Sequence, residues 1–181
     1  MKGIIFTTFE QFVRERLGEE FLDELLERSE LKTTEAFVAP GTYPDEDLVT
    51  LVVNAAELAG LEVPEALHAF GSFAFPKLAL CLGDLKSRYR DPEDLLAHVD
   101  DIIHVEVRKL WPEATTPRIL IRPSLEGELE VRYDSTRSLC AVFEGLVEGL
   151  AGFYETTVEC EHLHCTHDGA KYCDFAIRFA R

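Results

Sequence analysis

Apolar residues in the first half of the chain recur every three or four positions, which is the period of an amphipathic α-helix. This period predicts four helices: one over residues 4–17 that ends at Gly18, a short one over residues 21–26, one over residues 45–59 that stops at Gly60, and one that begins at Pro64. Pro76 falls inside the fourth helix, and we expect it to kink or interrupt that helix because proline has no backbone N–H. The N-terminal half is therefore predicted to be helical.

The second half of the chain mixes the helical period with the two-residue period of strands. Asp91 and Pro92 form a strong helix start, and the apolar residues after them predict a helix that Pro112 closes. The pattern then predicts two strands joined by a Gly-containing turn, a helix and a final hairpin, over residues 118–122, 128–133, 139–150, 155–160 and 173–179. A helical N-terminal part with an antiparallel sheet of about four strands and a long crossing helix is an α+β fold.

Composition narrows the classes of protein that this chain can represent. Its 181 residues suit one domain over residues 1–181, and no linker divides them. Lys and Arg total 18 against 34 for Asp and Glu, so the formal charge of -16 argues against nucleic acid or an anionic membrane surface as partner. No apolar run is long enough to span a membrane and no signal pattern is present, so we expect a cytoplasmic protein. Five cysteines in such a compartment favour free thiols or metal ligands over disulfides.

Two separate features of the sequence point to one ligand. On an extended backbone, Tyr133, Ser135 and Arg137 would project three donors from one face with no carboxylate beside them, which suits an anion with two charged arms. His104 lies in mid-helix beside the apolar stripe, where a single histidine is most often a hydrogen-bonded core residue. A neutral imidazole is also an axial ligand of haem iron, and haem carries two propionates. A haem between the two features would explain both of them.

The motif Tyr133-x-Ser135-x-Arg137 downstream of a helical histidine resembles the H-NOX family, the haem nitric oxide/oxygen-binding domains related to the sensor of soluble guanylate cyclase. The resemblance, to the stand-alone bacterial type, spans nearly the whole chain: it begins with residues 1–5 and includes residues 114–118. It implies that haem b is held between the helical part and the sheet, with His104 as the iron ligand. It also implies that Pro117 packs against the porphyrin and helps to distort it.

The resemblance further implies which residues line the gas-binding side of the haem: Ile5, Phe9, Ala74, Phe75, Val142 and Leu146. Members that bind dioxygen have a tyrosine at the position that aligns with Val142, and no other donor replaces it here. We therefore expect ferrous haem that binds NO and CO but excludes O2, which needs a hydrogen bond. In this family NO releases the iron from its histidine and so alters a separate signalling protein, such as a histidine kinase or a cyclic-di-GMP enzyme. No hydrolase or phosphate-binding motif is present, so we do not expect an enzyme.

A second group of ligand-type residues lies near the C-terminus. His162, Cys165 and Cys173 lie across a predicted hairpin, and Cys140 could complete a tetrahedral Zn²⁺ site with them. A subset of bacterial H-NOX domains is similar here, with a zinc site of three cysteines and one histidine at matching positions. Either Cys160 or His164 could replace a named ligand, and the same thiols could instead form a redox switch. A haem-free, zinc-stabilised interaction domain is the alternative to a haem sensor.

Overall fold

The helical periodicity of the N-terminal half corresponds to four helices in the computed structural model, which describes residues 1–110, 112, 114–123 and 128–180. They are α1 (Gly3–Leu17), α2 (Glu19–Arg28), α3 (Asp45–Ala59) and α4 (Val63–Cys81). Gly18 and Gly60 end α1 and α3 with positive φ angles, which glycine adopts without strain. The four predicted helices are therefore confirmed. A short α5 (Leu85–Arg88) follows them, and periodicity did not predict it.

Of the kink or interruption expected at Pro76, the interruption does not occur. Helix α4 continues from Val63 through Pro76 to Cys81. A capping box at its start, in which Glu65 accepts a hydrogen bond from the backbone N–H of Glu62 at 3.1 Å, gives this helix a firm N-terminus. Neighbouring packing therefore outweighs the local cost of the proline. Among the described helices, α4 included, none is long and apolar enough to cross a membrane.

The helix predicted from Asp91 to Pro112 is present, but it has three parts. Its first part is α6 (Pro92–Ala97), where the Asp91 side chain accepts a hydrogen bond from the backbone N–H of Asp94 at 2.8 Å. A π-helical turn (Val99–Ile103) follows, and then α7 (His104–Leu110). A π turn holds one more residue than an α turn, and such turns occur often at functional sites. The wide turn ends directly before His104.

The second half contains the predicted sheet and crossing helix. The strands are β1 (Arg118–Pro123), β2 (Leu129–Asp134), β3 (Val158–His164) and β4 (Cys173–Phe179), and the helix is α8 (Cys140–Phe153). All pairings are antiparallel and the order is β1-β2-β4-β3. Strand β3 begins three residues later than predicted, because Glu155 adopts a positive φ just after α8. The predicted turn at Gly127 lies outside the described residues, but the α+β fold is confirmed.

Two hydrophobic cores lie on either side of the contact between α4 and α8. The N-terminal core includes Phe6, Phe9 and Phe70, and the C-terminal core includes Phe143 and Phe175. Glycines let the two helix backbones approach closely. A methyl group at position 145 would lie 2.0 Å from the His68 carbonyl oxygen, and one at position 71 would lie 2.3 Å from that of Val142. The two halves of the molecule are therefore joined by a backbone contact that larger residues could not form.

Candidate functional site

His104 is the first residue of α7 and its ring is largely buried, with 15% of the side chain exposed. Its Nδ1 lies 3.1 Å from a carboxylate oxygen of Asp100. Since a carboxylate can only accept, Nδ1 carries the hydrogen and Nε2 keeps its lone pair. Burial lowers the pKa of His104 below its ordinary value, despite opposing contributions from Asp100 and the Pro117 backbone. The ring is therefore neutral at physiological pH, which is the form that binds metal.

The segment over residues 114–117 connects His104 with Arg137. The Pro117 backbone interacts with the His104 ring, and the Thr116 hydroxyl accepts a hydrogen bond from Arg108 in α7. Two residues earlier than Pro117, the Thr115 carbonyl accepts a hydrogen bond from Arg137 at 2.7 Å. The structure thus places both His104 and Arg137 in contact with this one short segment.

The three predicted donors do not share one extended face, which corrects the prediction. Tyr133 lies within β2, Ser135 follows the strand, and Arg137 lies in the turn before α8. They are nevertheless neighbours, because Tyr133 and Ser135 share a side-chain hydrogen bond and the Ser135 hydroxyl accepts from the Arg137 backbone N–H at 3.2 Å. Burial raises the pKa of Tyr133, so its phenol stays protonated. The set therefore offers a phenol, a hydroxyl and a guanidinium.

A carboxylate does lie beside this set, contrary to the prediction. Arg137 Nε is 2.5 Å from an Asp45 carboxylate oxygen, and the N-terminal ammonium of Met1 is 2.6 Å from the other oxygen. Burial alone would raise the pKa of Asp45, but the hydrogen bonds and charges of Arg137 and the N-terminus lower it. Asp45 begins α3, so the pair joins the helical half to the sheet half. An anionic ligand of Arg137 would share this guanidinium with Asp45.

The donor set fits a haem. A neutral imidazole with a free Nε2 suits the iron, while an uncharged phenol, a hydroxyl and a guanidinium suit the propionates. The residues that would hold the group are His104 on one side and Tyr133, Ser135 and Arg137 on the other. This fit rests on the chemistry of the side chains, and sequence analysis identified all four of them.

The six residues predicted on the gas-binding side divide between the two cores. Phe9 and Ala74 are buried in the N-terminal core, and Ile5, Val142 and Leu146 pack against that core. Phe75 packs instead against the C-terminal core, where its ring lies 5.8 Å from that of Phe153. Five of the six thus belong to or pack against the N-terminal core, while Phe75 packs against the C-terminal core. None of the six side chains can donate a hydrogen bond.

A four-residue cluster lies where α8, β3 and β4 meet. It consists of Cys140, His162, Cys165 and Cys173, whose ligand atoms all lie within 4.8 Å of one another. The sulfur atoms of Cys140 and Cys165 are 3.8 Å apart. Burial and the neighbouring thiols raise the pKa of Cys140 to about 12, because thiolates crowded together repel one another. A divalent cation would remove that repulsion, so the ligand set fits Zn²⁺.

His162 is held in this cluster by a residue that sequence analysis missed. Its Nδ1 lies 2.7 Å from a carboxylate oxygen of Glu144, which therefore accepts the ring hydrogen. Its Nε2 is buried and has no hydrogen-bond partner among the described residues. A buried nitrogen in this state costs roughly 1–3 kcal/mol unless something binds its lone pair. The position of Glu144, one helical turn after Cys140, was a signal that could have identified it.

The two alternative ligands lie outside the cluster. A bulge between His162 and His164 breaks the pairing of β3 with β4. The His164 side chain is 68% exposed and lies 3.8 Å from Asp174. Cys160 is also exposed. The geometry therefore favours the four residues named from the sequence over either replacement.

The α+β fold and the donor set together are those expected of a haem-binding domain. The sequence model of the family described as Haem-NO-binding matches residues 2–162, and the chain belongs to this family of sensor domains. No match was found among curated protein sequences.

Solved structures agree with this assignment. An H-NOX protein from Shewanella oneidensis in the Fe(II)NO state is 31% identical, with a TM-score of 0.93 and 100% of both chains covered. The Fe(II) unliganded H-NOX protein from K. algicida is 27% identical, with a TM-score of 0.89 and coverage of 100% of this chain and 97% of that chain. The IWP-051-bound H-NOX from Shewanella woodyi in the Fe(II)CO state is 30% identical, with a TM-score of 0.84 over 99% and 95% of the chains.

Proposed function

We propose that this chain is a cytoplasmic nitric oxide sensor in which haem b is bound through His104. The observation that carries the proposal is the state of His104: a largely buried imidazole whose Nδ1 is engaged by Asp100. The tautomer with hydrogen on Nδ1 leaves the lone pair of Nε2 as the one that can bind iron. Tyr133, Ser135 and Arg137 would bind the propionates, and Pro117 would pack beside the porphyrin. The haem would supply the iron at which the gas binds.

The apolar side chains near the contact between α4 and α8 support selectivity for NO and CO over O2. Bound O2 is polar, and without a donor it forgoes a hydrogen bond worth roughly 1–3 kcal/mol in a dry pocket. Phe9, Ala74 and Val142 offer none. Relatives have been described in the Fe(II)NO and Fe(II)CO ligation states, which supports these two gases as ligands.

The output of the sensor would be a change in α7. NO would act by releasing His104, and the helix that this residue begins could then relax. A sensor needs two states that its ligand stabilises unequally, and bound and released His104 provide them. The change would be read by a separate signalling protein, such as a histidine kinase or a cyclic-di-GMP enzyme.

The visible spectrum of the reduced protein tests this function. We expect a Soret band that shifts with NO and with CO but not with air. Val142→Tyr should introduce a stable complex with O2, because the phenol can donate to it, while Val142→Phe has similar size and should not. A shift of the wild-type band with air would contradict the selectivity. Absence of the band after reconstitution with haem would favour the haem-free interaction domain.

Removal of the Arg137 side chain should weaken haem retention. Arg137→Ala deletes a charged hydrogen-bond donor worth roughly 1.5–3 kcal/mol, so we expect haem to dissociate about 10–100 times faster. Transfer of haem to an excess of apomyoglobin measures that rate. Arg122→Ala, which removes an exposed arginine from β1, is the control and should leave the rate unchanged. Equal rates of haem dissociation in the two variants would show that Arg137 is not part of the haem site. Zinc content should be the same in both variants as in the wild type.

We further propose that Cys140, His162, Cys165 and Cys173 bind a structural zinc ion. The unpartnered Nε2 of His162 and the three crowded thiols support this assignment. Zinc would fasten the start of α8 to the hairpin of β3 and β4. Glu144 would orient His162 from behind, as carboxylates commonly do for metal-binding histidines.

A further inference from the structure

We propose that Asp100 sets the strength of the bond between His104 and the haem iron, and so the ease with which NO releases His104. The inference rests on the proposed function, since it requires haem at His104. It concerns a residue that lies behind the ligand and contacts neither haem nor gas. Asp100 is therefore a positioning residue.

The geometry is specific to one of two adjacent acids. The carboxylate of Asp100 lies 3.1 Å from His104 Nδ1, and its side chain is only 23% exposed. Asp101, the next residue along the π-helical turn, is exposed. The wide turn thus directs one carboxylate behind the imidazole and the other toward solvent.

The remaining groups around the ring do not duplicate this role. Arg108, one turn further along α7, lowers the pKa of His104 by its charge and donates a hydrogen bond to Thr116. The Pro117 backbone raises the pKa of His104 by less than Asp100 does. Among the described residues, Asp100 is the one carboxylate that accepts a hydrogen bond from this ring. Within the part of the chain that the structure describes, Asp100 alone places a negative charge at Nδ1.

That charge has two chemical effects on a metal-binding imidazole. Accepting the hydrogen from Nδ1 fixes the tautomer and the ring orientation, and it increases the electron density at Nε2. Both effects strengthen the bond that Nε2 makes to iron. Because NO must overcome this bond to release His104, Asp100 would shift the balance of the sensor toward the bound state.

The test compares Asp100→Asn with Asp101→Asn, which removes the same charge from the adjacent residue. In reduced protein without gas, the iron–histidine stretching frequency from resonance Raman spectra should fall in Asp100→Asn and stay unchanged in Asp101→Asn. After addition of NO, the ratio of bound to released His104 should fall about 10-fold in Asp100→Asn, because the neutral amide oxygen is a weaker acceptor for Nδ1–H than the carboxylate and substitution of such outer partners typically costs at least that much.

A second measurement does not need haem. Nitrogen-15 NMR of the haem-free protein should show His104 as a single Nδ1–H tautomer in the wild type and as a mixture in Asp100→Ala. Equal stretching frequencies in wild type and Asp100→Asn, with haem bound in both, would overturn this inference alone. If the wild type binds no haem after reconstitution, the proposed function fails and this inference fails with it. A mixed tautomer in the wild type would contradict the geometry itself.

Discussion

Replacement of His104 by alanine is expected to abolish stable haem binding. The loss of an outer partner of a metal ligand costs about 10–100-fold in affinity, so loss of the ligand itself should exceed that range. The purified variant should lack a Soret band. Addition of imidazole should restore the band, because free imidazole can occupy the space that the side chain leaves.

His98→Ala is the matched control for this experiment. His98 precedes the same π-helical turn, but its Nδ1 lies 2.7 Å from the Asp94 carbonyl oxygen and its ring lies 5.5 Å from that of Tyr89. Its loss should leave haem content unchanged. Wild-type haem content in His104→Ala without added imidazole would show that another residue holds the iron.

The second large effect is expected at the C-terminal cluster. Cys165→Ser should reduce zinc from one ion per chain to near zero, because serine is a poor ligand for zinc beside two thiolates and an imidazole. Metal analysis by mass spectrometry measures this occupancy directly. The variant should also unfold at a lower temperature, by roughly 2–4 °C for each kcal/mol of binding free energy that is lost.

Cys160→Ser provides a control within the same strand pair, since Cys160 is exposed and lies outside the cluster. It should retain full zinc. Full occupancy in Cys165→Ser would instead remove Cys165 from the ligand set. The redox switch would be supported if the wild-type protein contained no zinc and peroxide converted the Cys140 and Cys165 thiols to a disulfide. The sulfur atoms of these two residues are 3.8 Å apart, so they are close enough for this reaction after a small movement.

Much of the fold could be predicted because periodicity reports which side of an element is buried. Helices α1 to α4 and strand β4 follow from it. The π-helical turn could not be predicted, since one extra residue barely changes an apolar repeat over a single turn. Pro76 illustrates a second limit, because the packing around α4 outweighs a local preference that the sequence alone suggests.

For the candidate site, the sequence identified ligand-type residues but not the groups behind them. His104, Arg137 and His162 were all found from residue type and spacing. Their partners Asp100, Asp45 and Glu144 were not, because solvated acids are common and only the tertiary structure selects among them. Asp45 precedes Arg137 by 92 residues, so no local pattern could join the two.

Helix α8 has consequences for the evolution of this chain. Its first residue belongs to the thiol cluster, Glu144 holds His162, and Gly145 touches the backbone of α4. Of its fourteen residues, all of which the structure describes, only Glu148 and Gly152 are exposed. Neutral drift along α8 is therefore confined to a narrow stripe, because the other positions on the helix pack against the two cores, the thiol cluster or the backbone of α4.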